Sequence, residues 1–326
     1  MGEFGLINLL AETVGTSTDK QLIIGIGDDA AAWQGDNLIQ LATTDSYIQD
    51  IHFSLDTISW PELGWKVMAS SLSDIAAMGG VPRYVLVSLG LPPDTDVNDT
   101  LTLYQGMLAL TKPLGVAITG GETTSSPVVM VTITVLGTTR KPDAPILTRS
   151  AAQPGEKLAI TGTLGAAAAG LKMLSEKLSF DTETTRCLKD AFVHPIPRLV
   201  EGEILVRQGV RAAIDISDGL LSDLNHICQQ SRVGARIETS RVLIAPAVKA
   251  NFGDQALELA LSGGEDYELI FTASPKIIDH VTGALPCPVT VIGETTADKD
   301  CRIVLVDREG KLFQPAVTGW EHFTHK

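Results

Sequence analysis

The stretch AAIDISDGLLSDLNHICQQ (Ala212 to Gln230) passes from an apolar run through an acid-and-glycine turn into a helical pattern. AAIDI reads as a strand and SDGLLSDLNHICQQ as a helix, with carboxylates placed at the junction. The same alternation extends in both directions. Upstream, LIIGI (Leu22 to Ile26), LIQLAT (Leu38 to Thr43), YVLVSLGL (Tyr84 to Leu91), VAIT (Val116 to Thr119), VVMVTITVLG (Val128 to Gly137) and LAIT (Leu158 to Thr161) read as strands. Between them, Pro61 to Met78 reads as a helix, with Ser59 as its cap and Gly79-Gly80 as its stop. A second helix is expected from Val97 to Thr111, ended by Lys112-Pro113, and others over Gly165 to Leu178 and from Arg198. Downstream, ELIFTA (Glu268 to Ala273), PVTVIG and RIVLV read as strands and Pro275 to Val281 as a short helix. The fold class expected is α/β (α+β).

At about 150 residues per domain, 326 residues predict two domains. The Pro- and charge-rich segment KPDAPILTRSAAQPGEK (Lys141 to Lys157) interrupts the apolar periodicity and places the division near residue 150. Lys and Arg number 25 against 39 Asp and Glu, a net charge of −14. That sign argues against nucleic acid as a partner. Uncharged stretches such as Thr123 to Thr139 are laced with Thr, Ser and Pro, so no membrane span is expected. The cysteines Cys187, Cys228, Cys287 and Cys301 show neither CxxC nor Cys/His spacing, which fits a reducing compartment. The first twenty residues carry no early basic cluster, and Leu6 stands where a myristoylation signal needs Ser or Thr. The location expected is the cytoplasm.

The acids are unusual in where they sit. GIGDDAA (Gly25 to Ala31), TTDSYIQDIHF (Thr43 to Phe53), SDIAAMGG (Ser73 to Gly80), GGETT (Gly120 to Thr124), DISDGL (Asp215 to Leu220) and SGGEDYEL (Ser262 to Leu269) each set carboxylates beside glycines or at the end of an apolar run. Any one of these is ordinary turn chemistry. Six together are not, and Asp74 inside a predicted helix needs a reason, since Asp is a poor helix former. Carboxylates gathered in one cleft repel one another unless a divalent cation shares them. Hard oxygen ligands with neighbouring hydroxyls suit Mg²⁺, which bridges carboxylates to substrate phosphates. The combination points to metal-assisted phosphoryl transfer.

Two other motifs fail on inspection. Gly25-x-Gly27-x-x-Ala30 matches the loose dinucleotide fingerprint, but Asp28 and Asp29 would occupy the pyrophosphate position. The next strand at Leu38 also follows too soon for a crossover helix. DISDGL lacks the alternating acids and the twelfth-position Glu of a calcium loop. Neither a Walker A motif nor a kinase HRD or DFG set is present.

The ordered series GIGDDAA, TTDSYIQDIHF, SDIAAMGG, GGETT, LTRS, TGTLG, DISDGLLSDL, SGGEDYEL and GWEHF resembles the thiamine-monophosphate kinase family over Gly2 to about Phe323. That family shares an ATP-binding superfamily with aminoimidazole ribonucleotide synthetase. The resemblance implies two domains, 1–150 and 151–326: an N-terminal mixed-sheet domain that pairs into a homodimer barrel, and a C-terminal α/β sandwich completing the active-site cleft. It implies transfer of phosphate from ATP to thiamine monophosphate, the last step of thiamine diphosphate biosynthesis. Several Mg²⁺ ions would be held by Asp29, Thr43, Thr44, Asp45, Asp74, Glu122, Asp215 and Asp218. ATP would meet Tyr104, Gly121, Arg149 and Ser217, and the substrate His52, Glu265 and Trp320. Asp45, Asp215 and Arg149 would be the catalytic set.

One position departs from the family pattern. Glu122 stands where the family has Asp, moving the carboxylate by about 1.5 Å, one C–C bond. The alternatives within reach are an aminoimidazole ribonucleotide synthetase-like enzyme and a catalytically weakened Mg-nucleotide-binding homologue. Relatives that depend on an N-terminal or C-terminal Cys fit poorly, because the first Cys is Cys187 and the tail reads GWEHFTHK.

Overall fold

The computed structural model describes residues 20–316 and Gly319. Its first six strands are β1 (Leu22–Ile24), β2 (Ala31–Gln34), β3 (Ile39–Ile48), β4 (Val81–Leu91), β5 (Ala117–Ser125) and β6 (Met130–Thr138). They form one mixed sheet in the order β1-β2-β3-β6-β4-β5. Only β4 and β5 run parallel, and the parallel pair needs a crossover. Helix α2 (Val97–Leu114) provides it. α2 runs on past the Lys112-Pro113 stop expected from sequence. Pro113 lies in the last turn, where it removes one hydrogen bond and only Leu114 follows it in the helix, and Gly115 at φ 69° closes the helix onto the Lys112 and Thr111 carbonyls.

Helix α1 (Trp60–Ala77) begins as expected, with Glu62 reaching back to accept from the Ser59 amide (2.8 Å) and hydroxyl (2.7 Å). It lies close against α2 because Gly64 and Gly106 remove side chains at the crossing. A Cβ on Gly64 would stand 1.9 Å from the Leu103 carbonyl oxygen, and one on Gly106 1.9 Å from that of Pro61. The apolar face of α1 (Leu63, Val67, Leu72, Ile75) joins Val85, Val87, Ile133 and Val135 of the sheet in the first core.

The second sheet has seven strands: β7 (Lys157–Thr161), β8 (Ala212–Asp215), β9 (Gly234–Glu238), β10 (Leu269–Ala273), β11 (Val289–Thr296), β12 (Ile303–Val306) and β13 (Leu312–Phe313). Their order is β13-β12-β9-β11-β7-β10-β8. Around it lie α3 (Ala166–Ser175), α4 (Thr182–Val193), α5 (Leu199–Gln208), α6 (Leu220–Ser231), α7 (Pro246–Asn251), α8 (Gln255–Ser262) and α9 (Pro275–Ala284). The mixed α and β character read from sequence holds in both halves. Strands β2, β9 and β13 and helices α4, α7 and α8 are additions to it.

The two halves interlock. Phe192, Val193 and Leu199 complete the first core, while Ala77 and Leu147 join Leu205, Ala213 and Phe271 in another. Polar ties cross the same seam, from the Trp65 indole N–H to the Pro195 carbonyl (2.8 Å) and from Lys189 to Glu62 (2.7 Å). α1 is therefore clamped between the sheets. Its C-terminal end and the C-terminal end of β8 meet at one place.

Candidate active site

That meeting place is acidic. Asp29 precedes β2, Asp74 lies in the last turn of α1, and Asp215 ends β8. Ligand oxygens from the three carboxylates lie within 4.8 Å of one another. Thr43 on β3 donates its hydroxyl to Asp74. Asp45, two residues along the same face of β3, stands near enough to Asp74 and Asp215 to raise the carboxyl pKa of both. Burial drives these shifts, with neighbouring carboxylates adding to it. Asp215 is pushed up to about 8, Asp45 is raised, and Asp74 is held well above the carboxylate range.

Asp28 and Asp29 divide the work of GIGDDAA. The Asp28 carboxylate accepts the Arg149 backbone N–H at 3.1 Å and rises to about 7, mainly by burial and then by the charge of Asp29. Asp29 accepts from the Arg149 guanidinium through one oxygen, and its other oxygen is buried without a hydrogen-bond partner. An orphaned carboxylate oxygen beside two further carboxylates and a threonine hydroxyl is a fitting donor set for a hard divalent cation.

The loop of DISDGL is shaped by Asp223, a residue the sequence reading passed over. One oxygen of its carboxylate accepts the backbone N–H groups of Ser217 (3.0 Å), Asp218 (3.1 Å) and Gly219 (3.1 Å). A buried acid one helical turn into α6 thus holds the whole turn that presents Asp215, Ser217 and Asp218. The sequence signal was available: an Asp in the first turn of a helix satisfies orphan N–H groups.

SGGEDYEL separates in the same way. Asp266 accepts from the Gly165 (2.8 Å) and Ala167 (3.3 Å) amides at the start of α3. Glu268 is gripped by Arg198 (2.6 and 2.5 Å) and by the Thr161 hydroxyl (2.7 Å). Tyr267 meets Tyr47 hydroxyl to hydroxyl at 3.0 Å. Of the three acids Glu265 alone opens to a cavity, which Tyr267 also lines, and its backbone is bent to do so, at φ 60°. Gly264 at φ 69° permits the bend, since a Cβ there would stand 2.5 Å from the Ser217 carbonyl oxygen.

Two cavities share this centre. The larger, of about 1660 Å³, is lined by Gly27, Asp28, Asp29, Thr43, Thr44, Arg149, Ser217 and His226 among others. Burial, with Arg149 nearby, lowers the His226 pKa to about 4. The smaller, of about 340 Å³, holds His52, Ser70, Asp218, Glu265, Tyr47 and Tyr267. His52 Nδ1 accepts the Ile48 amide (3.1 Å), which leaves the ring proton on Nε2. Asp45, Asp74, Asp215 and Ser217 line both cavities and form the wall between them.

The structure therefore gathers Asp29, Thr43, Asp45, Asp74, Arg149, Asp215, Ser217 and Asp218 at one centre and puts His52 and Glu265 beside it. Thr44 borders the large cavity, but its hydroxyl is 3.0 Å from that of Thr134 on the other face of β3. Tyr104 packs on α2 against the first core, and Gly121 and Glu122 lie on β5. None of these three lines either cavity. Strand register puts Glu122 in a row with Ser88, Thr132 and Ser46 on the outer face of the sheet, opposite to Asp45. Trp320 lies outside the described residues.

Known proteins resemble this chain in sequence and fold. Residues 27–139 match the N-terminal domain of AIR synthase related proteins, and residues 153–306 match the C-terminal domain. The thiamine-monophosphate kinase of Escherichia coli (strain K12) is 37% identical over 331 residues, covering 99% of this chain and 98% of the relative. That of Bacillus subtilis (strain 168) is 34% identical over 336 residues, covering 99% and 100%. The solved structure "AaThiL complexed with AMPPCP and TMP" superposes with a TM-score of 0.85 at 29% identity, covering 99% of this chain and 97% of that one.

Proposed function

The chain belongs to the AIR synthase related family and within it to the thiamine-monophosphate kinases, and we propose that it transfers the γ-phosphoryl group of ATP to thiamine monophosphate, giving thiamine diphosphate and ADP. The observation that carries this reading is the wall of Asp45, Asp74, Asp215 and Ser217 shared by the two cavities. ATP in the larger and the acceptor in the smaller would bring their phosphates to opposite sides of one carboxylate centre, the geometry that in-line transfer needs.

Asp29, Asp74 and Asp215 would hold Mg²⁺, with Asp45, Asp218 and Thr43 completing the expected ligands; the Thr44 hydroxyl, engaged with that of Thr134, would not join them. Bound there, Mg²⁺ supplies charge neutralisation for two polyanions that carboxylates would otherwise repel. The chain's own groups do the rest. The Thr43 hydroxyl orients Asp74. Arg149, anchored by Asp28 and Asp29, faces the larger cavity and can meet charge on the transferring group. Ser217 offers a hydroxyl to the nucleotide from the clamped loop. The acceptor's phosphate, with a second pKa of about 6, is already a nucleophile at neutral pH, so no side chain has to remove a proton. Glu265 and the Nε2–H of His52 are placed to receive the cationic, nitrogen-rich body of the acceptor, and Trp320 would stack on it.

Tyr104, Gly121 and Glu122 belong to this reading through a second copy of the chain. β5 is a sheet-edge strand exposed along nearly its whole length, and Tyr84 and Leu86 beside it are 54% and 39% exposed. A homodimer through that face would cover them and bring these residues toward a partner's cleft. A monomeric mass in solution would overturn this pairing. We place the domain division near residue 150. The location we propose is the cytoplasm; among the described residues no helix is long and apolar enough to cross a membrane.

A coupled ADP-release assay with ATP and Mg²⁺ tests the function, comparing thiamine monophosphate, free thiamine and no acceptor. ADP release that requires the monophosphate and disappears with EDTA is the expected result. Release indifferent to the acceptor would overturn the assignment.

A further inference from the structure

Helix α1 is buried on most of its surface, and Lys66 lies within it with its side chain 0% exposed. An ammonium taken out of water is costly unless it is paired and hydrogen-bonded. Lys66 is both. Its Nζ lies 2.9 Å from Glu265 Oε1, donates to the Phe192 carbonyl at 3.0 Å, and stands 3.4 Å from the centre of the Phe192 ring. Glu265, by contrast, keeps 24% of its side chain exposed, on the wall of the smaller cavity. The lysine thus reaches the carboxylate from beneath the cavity, on the side away from any ligand.

Around Glu265 the backbone is also set against relaxation. Its N–H donates to the Ser217 carbonyl at 2.7 Å, and its φ of 60° is a conformation a non-glycine residue adopts only when its surroundings demand it. One carboxylate oxygen is engaged by Lys66, which leaves the other for a ligand. A carboxylate paired with an ammonium on one side offers acceptor oxygen on the other, so it selects a cationic or N–H-bearing partner and disfavours one that presents a lone pair at the same point.

We propose that Lys66 is a positioning residue for acceptor recognition, holding the Glu265 carboxylate in the orientation that receives the cationic, N–H-bearing part of the phosphorylated acceptor. This rests on the reading that the smaller cavity takes thiamine monophosphate. A merely structural lysine would tie α1 to the Phe192 carbonyl of α4 and leave acceptor binding alone.

The experiment compares wild type, Lys66→Met, Glu265→Gln and the double variant in the ADP-release assay, with thermal melts of each. Acceptor-dependent release by wild type establishes the underlying reading separately; its absence would remove that reading before any variant is compared. Lys66→Met is expected to raise KM for thiamine monophosphate about 10- to 100-fold, the worth of a hydrogen bond to a charged group, with KM for ATP within about twofold of wild type. The double variant is expected to be no worse than the poorer single one, because both changes break the same interaction. An unchanged acceptor KM in Lys66→Met overturns the proposal, as do single effects that multiply in the double variant. If Lys66→Met fails to fold, Lys66→Gln, which keeps a donor for the Phe192 carbonyl but not the charge, carries the test: a raised acceptor KM supports the proposal and a wild-type value overturns it.

Discussion

Two groups of acids lie side by side in this molecule and are treated in opposite ways. Asp29, Asp74 and Asp215 crowd together with Arg149 as the cation that reaches them, and burial raises the carboxyl pKa of Asp74 and Asp215. Glu265, Asp266 and Glu268 each have a dedicated partner, in Lys66, the amides opening α3, and Arg198. Asp266 and Glu268, fully committed to their partners, hold the scaffold in shape, acids left to repel one another hold a place for a ligand, and Glu265, paired on one side and open on the other, does both. The first group carries a cost in stability that a bound cation or bound protons remove.

The largest expected effect tests that cost directly. Asp215→Asn should lower turnover at least about 10³-fold, as loss of a charge-stabilising group does, while raising the melting temperature of the EDTA-treated protein above pH 8, where the Asp215 carboxylate is charged, because one repelling charge is gone. Asp45→Asn should behave alike. Wild-type activity in either purified variant would remove the carboxylate centre from the mechanism, and a fall in melting temperature would show that repulsion is not what this region stores.

A smaller effect is expected at the clamp. Asp223→Ala leaves the Ser217, Asp218 and Gly219 amides without their acceptor, so stability should fall by about 2–3 kcal/mol and kcat/KM by at least about tenfold. Urea unfolding and steady-state kinetics would measure both. An active, equally stable variant would show that the turn holds its shape without Asp223.

The smallest effect is the pH dependence of the metal-free protein. Asp28 and Asp215 have an ordinary carboxyl value of 3.8 and rise to about 7 and about 8 in the folded chain. Folded protein therefore holds protons that unfolded protein has released. Their contribution to stability is complete below pH 3.8 and is lost as pH rises through 7 to 8. Melts in EDTA should drop between pH 5 and 8, and Mg²⁺ should restore more at pH 8 than at pH 5, since it competes with those protons. Equal restoration at both values would separate the ion from these carboxylates.

Much of the fold was legible because apolar periodicity is local. β4, β6, α1 and β8 follow directly from spacing and caps. β2 was not, since AAWQ is too short to alternate visibly, and α4 was not, although Asp181 caps it through the Glu183 and Thr184 amides. The candidate site was legible as a set of motifs and illegible as a set of roles. GIGDDAA, DISDGLLSDL and SGGEDYEL each contain acids that do different things, and chain spacing is nearly the same for all of them. Lys66 was invisible for the same reason, as a charged residue within a helical apolar pattern.

By itself the sequence determined the alternation of strands and helices, the acidic balance, the collection of carboxylates beside turns, and through its motif order the kinase resemblance. All of these depend on residues near one another in the chain. Only the tertiary structure decided which carboxylates meet, because Asp29, Asp74 and Asp215 come from a turn, a helix end and a strand end that packing alone brings within 4.8 Å. It also decided that Glu122 faces away from that centre within one chain and that Glu265 has a buried lysine behind it. Electrostatic energy depends on distance through space and on exclusion of water, and neither is written in the spacing of residues along the chain.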